Sequence, residues 1–297
     1  MFMQEPKSGR LPGWLKLKSR LDQDDTYQNV RRIVKEYNLN TICISGNCPN
    51  IGECWSAGTA TFMILGNICT RSCKFCGVET GRPLSPDPGE PARIADSVKK
   101  MGVKHAVITS VDRDDLPDRG AGFWAQTIRT IREVNPEVTM ETLIPDFDGK
   151  PEWVNRVIEV APEVISHNLE TVRRLTQHIR TKAHYDTSLS VIRQVAASGL
   201  VSKSGIMLGL GETEEEVMET MDDLLEAGCQ VMTIGQYLQP TREHLAVNEW
   251  ITPEQYQKYE ETGLAKGFHF VESKPLVRSS YHAEKHLKAN DAAADNI

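Results

Sequence analysis

The chain has 297 residues, 39% of them hydrophobic and 25% charged, with a formal net charge of −7. This is ordinary globular composition, long enough for a buried core in one large domain or two small ones. The acidic balance argues against a general nucleic-acid binder, and no run approaches the roughly eighteen apolar residues that span a membrane.

In chain order, MFMQEPKSGRLPGWLKLKSR has no apolar run of signal-peptide type, so a cytoplasmic, reducing setting is expected. Residues 1–40 are charged and largely helical in pattern, with a helix expected from Asp25-Thr26-Tyr27 through Val30, Ile33 and Val34. Residues 41–58 are rich in Gly, Asn and Pro and read as a loop. Strand-like apolar runs follow at 60–66, 104–110, 137–144, 163–168, 202–208 and 230–236. Segments of helical period lie between them at 92–101, 122–134, 151–160, 185–198 and 214–227. Six β-then-α units predict an α/β fold with a parallel sheet, too few to close an eight-stranded barrel and therefore open and TIM-like. The run Arg82 to Pro91 reads as a surface loop, with Pro91 placed for the first turn of a helix. The tail from Lys288 to Ile297 is small and polar, and fraying is expected there. The expected organisation is an N-terminal extension over 1–58, a barrel over 59–250 and a C-terminal extension over 251–297.

Six of the seven cysteines form two triplets, Cys43-x4-Cys48-x5-Cys54 and Cys69-x3-Cys73-x2-Cys76. In a reducing compartment, clustered cysteines are more often metal ligands than disulfides. Structural zinc takes four protein ligands, whereas three thiolates suit a cubic iron–sulfur cluster with one iron left open. A zinc site or an electron-transfer cluster is the plainer alternative. The seventh cysteine, Cys229, opens an apolar run and reads as a small buried hydrophobe.

Cys69, Cys73 and Cys76 follow the first strand-like run, in the loop where parallel α/β folds place their sites. With aromatic Phe75 before the last cysteine, this motif resembles the radical S-adenosylmethionine superfamily. The stretch from Gly205 to Glu212, including Gly209, resembles that superfamily's GxIxGxxE pattern, with Met207 in place of Ile. The resemblance implies that the open iron binds the amino and carboxylate groups of S-adenosylmethionine and that a 5′-deoxyadenosyl radical is generated. It implies an adenine beside the glycines, a ribose near Asn168 and Glu170, and the methionyl amino group near Thr109 and Asp112. Each position has a plain alternative: a turn capped by Glu212, solvated loop residues, and a solvated acidic run over Asp112-Arg113-Asp114-Asp115.

The joint pattern is more specific. RLPGWL at 10–15, CPNIGECW at 48–55, FMILGNICTRSCKFC at 62–76, DPGEP at 87–91, TSVDRDDLPD at 109–118, SHNLETV at 166–172, LGLGET at 208–213 and RSSYHA at 278–283 together resemble the lipoyl synthase family. That resemblance implies two 4Fe–4S clusters, the auxiliary one held by Cys43, Cys48, Cys54 and Ser280. It implies sulfur insertion at C6 and C8 of an octanoyl-lysine, with the auxiliary cluster as sulfur donor and Arg278 near the freed serine or the substrate. The implied partners are octanoylated lipoyl-carrier domains of 2-oxoacid dehydrogenase complexes or a glycine-cleavage H protein, a reducing electron donor and a cluster-repair protein. A monomer is the simplest expectation. Arg173, Arg174, His178, Arg180 and Lys182 form either a docking face for an acidic carrier or a solvated helix face. A methylthiotransferase, the competing two-cluster enzyme, would add a basic RNA-binding domain that this sequence lacks.

Overall fold

The protein was analysed as a computed structural model, which describes residues 11–15 and 24–285. Arg10, the helical pattern before Asp24 and the tail from Lys288 lie outside the described residues, apart from a short 3-10 turn at Gly13–Leu15.

The elements are α1 (Asp25–Glu36), α2 (Ile42–Ser45), α3 (Ile51–Ser56), β1 (Thr61–Ile64), β2 (Ile68–Cys69), β3 (Glu79–Thr80), α4 (Glu90–Met101), β4 (His105–Ser110), α5 (Ala121–Val134), β5 (Thr139–Leu143), α6 (Pro151–Ile158), β6 (Val164–Ser166), α7 (Arg173–Ile179), α8 (Tyr185–Ala197), β7 (Val201–Leu208), α9 (Glu214–Glu226), β8 (Val231–Gln236), α10 (Pro253–Lys266) and β9 (Phe270–Ser273). Seven strands form an open parallel sheet in the order β1-β4-β5-β6-β7-β8-β9. β2 and β3 form a separate parallel pair. The six expected units are present, and β9 extends the sheet by one strand. β1 and β8 are buried along their whole length, as strands covered on both faces must be, and their sequences are mostly apolar, with Thr61, Thr233 and Gln236 the buried polar exceptions.

The chain divides into two compact units. One comprises residues 18–72 and 77–166, the other residues 1–17, 73–76 and 167–297. In the first, α1 starts where the Asp24 carboxylate accepts the Tyr27 N–H at 2.8 Å. It buries Val30, Ile33 and Val34, the expected apolar stripe. Removing such side chains from water contributes about 1.5–3 kcal/mol each before chain entropy is counted. Residues 41–58, expected as a loop, hold two short helices. Thr41 caps α2 by accepting the Ile44 N–H, and the left-handed Asn47 (φ 48°) stops it. The polar residues thus begin and end helices instead of excluding them. α4 carries Pro91 in its first turn, as expected, and ends at Gly102 with φ 65°.

In the second unit, α9 opens on a capping box between Thr213 and Glu216. Its core joins Leu169, Leu189, Ile206, Leu208, Met221, Leu224, Met232, Ile234, Tyr256 and Val271. Cys229 belongs to this core, as expected, and burial pushes its thiol up to about 12. α7 and α10 add two helices that the periodic reading did not single out. After β9 the chain returns across β8: Lys274 N–H donates to the Ile234 carbonyl at 3.2 Å, and Gln236 N–H donates to the Pro275 carbonyl at 3.1 Å.

Candidate functional site

The first triplet lies wholly in the unit of residues 18–72 and 77–166. Cys43 sits on α2, Cys54 on α3 and Cys48 between them, where its N–H donates to the Cys43 carbonyl at 3.0 Å. All three join one apolar cluster with Val30, Val34, Trp55 and Ala60. Three soft sulfur donors thus border one apolar cluster, although among the described residues no three His, Cys, Asp or Glu side chains are grouped closely enough to hold a single metal ion.

Cys69 belongs to the same unit and is buried. Its sulfur accepts the backbone N–H of Arg71 at 3.4 Å and of Asp112 at 3.3 Å, and lies 3.7 Å from Asp112 Oδ2. The two N–H donors fix the position of this sulfur between the backbone of Arg71 and that of Asp112. The segment is fixed by Arg71, buried among aspartates. Its guanidinium forks onto Asp146 at 2.7 and 2.8 Å and onto Asp114 at 2.9 Å through both Nε and Nη2. Asp112 at 3.5 Å and Asp148 at 3.6 Å complete the set. Burial alone would lower the Arg71 pKa, but its bonds to Asp114 and Asp146 outweigh that and raise it. Arg71, Asp146 and Asp148 were not selected from the sequence, because no local spacing links residues so far apart.

The acidic run is solvated only in part: Asp115 is exposed, whereas Asp114 is largely covered. Arg113 is buried, donates to the Leu65 and Leu84 carbonyls at 3.2 and 2.9 Å, and pairs with Asp115. Asp112 keeps a quarter of its side chain exposed. Thr109, on β4, is buried and donates to the Leu143 carbonyl at 3.3 Å. The DPGEP motif also has a structural purpose. The Glu90 carboxylate accepts the Leu65 N–H at 2.8 Å and so closes the end of β1, where Leu65 and Gly66 are both left-handed (φ 68° and 94°).

Cys73 and Cys76 lie in the other unit, in a tight turn with the Cys76 N–H donating to the Cys73 carbonyl at 3.1 Å. Lys74 anchors the turn on both sides: its N–H donates to the Ile179 carbonyl at 2.9 Å, and its carbonyl accepts the Leu245 N–H at 3.2 Å. His244 Nε2 lies 2.9 Å from the Cys76 carbonyl. Phe75 packs against the core.

Asn168 and Glu170 follow β6 in the same unit. The Asn168 amide donates to Glu170 Oε1 at 3.1 Å and to Ser279 Oγ at 2.7 Å. Its Oδ1 is buried without a hydrogen-bond partner, an arrangement that suits a ligand hydroxyl. Glu170 is left-handed (φ 66°), a strained state for a non-glycine residue. Two bonds impose it, from its N–H to the Gly205 carbonyl at 3.0 Å and from the Met207 N–H to its carbonyl at 2.9 Å. Burial raises its carboxyl pKa, against the opposing pull of Arg180 and Asn168.

The glycine-rich turn is closed by Glu212, whose carboxylate accepts the Gly209 and Leu210 N–H groups at 2.5 and 2.9 Å. The space left by the absent Cβ atoms at Gly205 and Gly209 is taken by protein atoms. A Cβ on Gly205 would meet Thr233 Oγ1 at 2.4 Å, and one on Gly209 would meet Gln236 Nε2 and the Glu249 carbonyl at 2.2 and 2.4 Å. Gln236 knits this region together, donating to three carbonyls and accepting from Ile251 and Tyr256.

Arg278 and Ser280 lie in the turn after β9, where the Tyr281 N–H donates to the Arg278 carbonyl at 2.9 Å. The expected basic face is already engaged. Arg180 is buried against the Asn168 and Leu169 carbonyls, so it cannot form part of a docking surface. Arg173 pairs with Asp186 and Asp223, and Arg174 with Glu216.

Comparison with known proteins places the chain in a family. The sequence profile of the radical SAM superfamily matches residues 63–224, so the chain belongs to that superfamily of enzymes. Solved structures share the fold at low identity. Streptococcus suis SuiB bound to S-adenosylmethionine has a TM-score of 0.56 at 12% identity, over 73% of this chain and 50% of that one. Methylornithine synthase has a TM-score of 0.52 at 13% identity, over 80% and 66%. Curated relatives are far more similar. A lipoyl synthase of Bacteroides fragilis is 60% identical over 97% of this chain and 100% of its own length. One from Parabacteroides distasonis is 59% identical over 94% and 98%, and one from Treponema denticola 60% over 94% and 95%. Within the superfamily, the chain belongs to the lipoyl synthase family.

Proposed function

We infer that this chain inserts two sulfur atoms, at C6 and C8, into an octanoyl group amide-linked to a lysine of a carrier domain. The observation that carries this is the presence of both cysteine triplets, in order, in a chain 60% identical to a lipoyl synthase across almost its whole length. Three features support the reading: three cysteines bordering one apolar cluster, a Cys69 sulfur with two N–H donors, and a buried Asn168 oxygen without a partner. When bound, two 4Fe–4S clusters and S-adenosylmethionine supply electron transfer, hydrogen abstraction from unactivated carbon, and sulfide.

The residues then take distinct roles. Cys69, Cys73 and Cys76 hold the cluster whose open iron binds S-adenosylmethionine. Cys43, Cys48 and Cys54 hold the auxiliary cluster, with Ser280 as its fourth and replaceable ligand. Asn168 and Glu170 receive the ribose, with the strained Glu170 backbone fixing the direction of its carboxylate. Asp112 receives the methionyl ammonium, since Arg71 is already satisfied by deeper aspartates and Asp112 stays partly exposed. Thr109 lines the same place. Phe75, Gly209 and the turn held by Glu212 flank the adenine, and Arg278 steadies the serine or the substrate. The carrier is a lipoyl domain of a 2-oxoacid dehydrogenase complex or an H protein. A reductant and a cluster-repair protein act with it, in a cytoplasmic setting and with the chain as a monomer. No helix among the described residues is long and apolar enough to cross a membrane.

The test is anaerobic. The protein is reconstituted with iron and sulfide, reduced, and given S-adenosylmethionine with an octanoyl-lysine peptide. The expected products are 5′-deoxyadenosine and a peptide that has gained two sulfur atoms. Zinc in place of iron in anaerobically purified protein, or cleavage of S-adenosylmethionine without peptide thiolation, would overturn the assignment.

A further inference from the structure

Residues 274–279 form a strap across one face of β7 and β8. In the parallel register, Lys203, Gly205 and Met207 sit beside Val231, Thr233 and Gly235 on a shared face. The strap lies against that face so closely that a Cβ on Gly235 would meet the Val277 carbonyl oxygen at 2.1 Å. At its end, both polar atoms of Ser279 are grasped. The Asn168 amide donates to Oγ at 2.7 Å, and the ammonium of Lys203 donates to the carbonyl at 2.5 Å. Lys203 is fully buried within β7.

We propose that Lys203 is the positioning residue that presents Ser280 to its metal site. The reason is covalent geometry. The carbonyl of residue 279 and the N–H and Cα of residue 280 share one rigid peptide plane. A charged hydrogen bond to that carbonyl fixes the plane, and with it the starting point of the Ser280 side chain. Asn168 holds Ser279 from the segment after β6, so the turn is gripped at two points. Burying a lysine in a sheet is costly, and here its length and charge reach a backbone oxygen of the strap.

This proposal rests on Ser280 being the auxiliary-cluster ligand, and the experiment separates the two ideas. Amide hydrogen exchange over residues 277–283 is measured in the full-length metal-free protein. The reconstituted protein is then examined by Mössbauer spectroscopy for the distinct iron that carries an oxygen ligand. Lys203→Met, of similar length and without charge, is expected to speed exchange of the strap about tenfold or more. It is also expected to broaden or remove the oxygen-ligated iron signature, and Lys203→Arg to restore part of both. Ser279→Ala removes the second grip without leaving a buried charge, and is read in the same way if Lys203→Met does not fold. Wild-type exchange in these variants, or faster exchange with an unaltered iron signature, would refute the positioning role. An unaltered signature in Ser280→Ala would instead remove the ligand assignment, and the delivery role with it, even where Lys203→Met loosens the strap.

Discussion

Among the seven cysteines, Cys229 is set apart by its surroundings. Its sulfur lies 3.3 Å from the Val231 carbonyl inside the core, and burial pushes its pKa up to about 12. At pH 8 only roughly one molecule in ten thousand then carries the reactive thiolate. Iodoacetamide applied to the native metal-free protein should modify the partly exposed Cys48, Cys54, Cys73 and Cys76 and leave Cys229 untouched until denaturant is added, as peptide mass mapping would read. Cys229→Ala should take up wild-type iron at a cost of about 1 kcal/mol in stability. Glu90 gives a prediction in pH. Burial raises its carboxyl above the ordinary value of 4.5, although the Leu65 and Gly66 N–H groups oppose the shift. The folded state therefore holds this proton more tightly than the unfolded state. That contribution is fully present below the ordinary value and is lost as pH rises through the folded one. Glu90→Gln keeps an acceptor for Leu65 and removes the titration. Urea unfolding of metal-free protein should show the stability of the wild type falling relative to Glu90→Gln as pH is raised above 4.5; a parallel pair of curves would contradict the assignment.

At the scale of elements, the strand runs were readable because buried parallel strands are mostly apolar and are bounded by turn residues. α10 was not, because its buried positions are only Tyr256, Tyr259 and Gly263 on an otherwise polar helix. α7 was hidden within a stretch read for its charges, and β9 is a four-residue strand with no pattern to separate it from its neighbours. α2 and α3 were masked by Gly and Asn, which serve there as helix ends. The Arg71 assembly was likewise illegible, since it joins the β2 segment to the loops after β4 and β5 only through the fold. Its energetics are nonetheless clear. Arg71 and Asp146 are both almost completely buried, so Arg71→Met would take from Asp146 and Asp114 the guanidinium that pairs with both, while Arg119 stays 3.9 Å from Asp114. The expected loss is about 3–5 kcal/mol, seen as a lower urea midpoint of the metal-free protein. Gly235→Ala tests the strap from the side of the sheet. Its Cβ would strike a backbone oxygen, which cannot rotate away as a side chain could. A loss of about 1–3 kcal/mol is expected, together with faster amide exchange at residues 275–279.

At the scale of the molecule, the candidate cysteine ligands stood out because clustered thiols at short spacing have few other uses outside disulfides. Ser280 was accessible only through family resemblance, because a serine remote in sequence from its proposed partners leaves no local trace. Asn168 stood, on sequence, between the ribose contact implied by the resemblance and a solvated loop residue, and its burial, unpartnered oxygen and bond to Ser279 exclude the second. The two triplets can now be distinguished by experiment. One is assigned to the cleavage of S-adenosylmethionine and the other to the supply of sulfur, so losing either should halve the iron while producing different chemistry. Cys69→Ala should retain about half of the wild-type iron and yield neither 5′-deoxyadenosine nor thiolated peptide. Cys43→Ala should also retain about half, still release 5′-deoxyadenosine, and add no sulfur to the peptide. The contrast needs only metal analysis, chromatography of the nucleoside and a peptide mass. Sulfur insertion by Cys43→Ala would show that the first triplet does not supply the sulfur. Loss of nearly all iron in either variant would show that the two sites do not assemble independently. Only the predicted split assigns one task to each triplet.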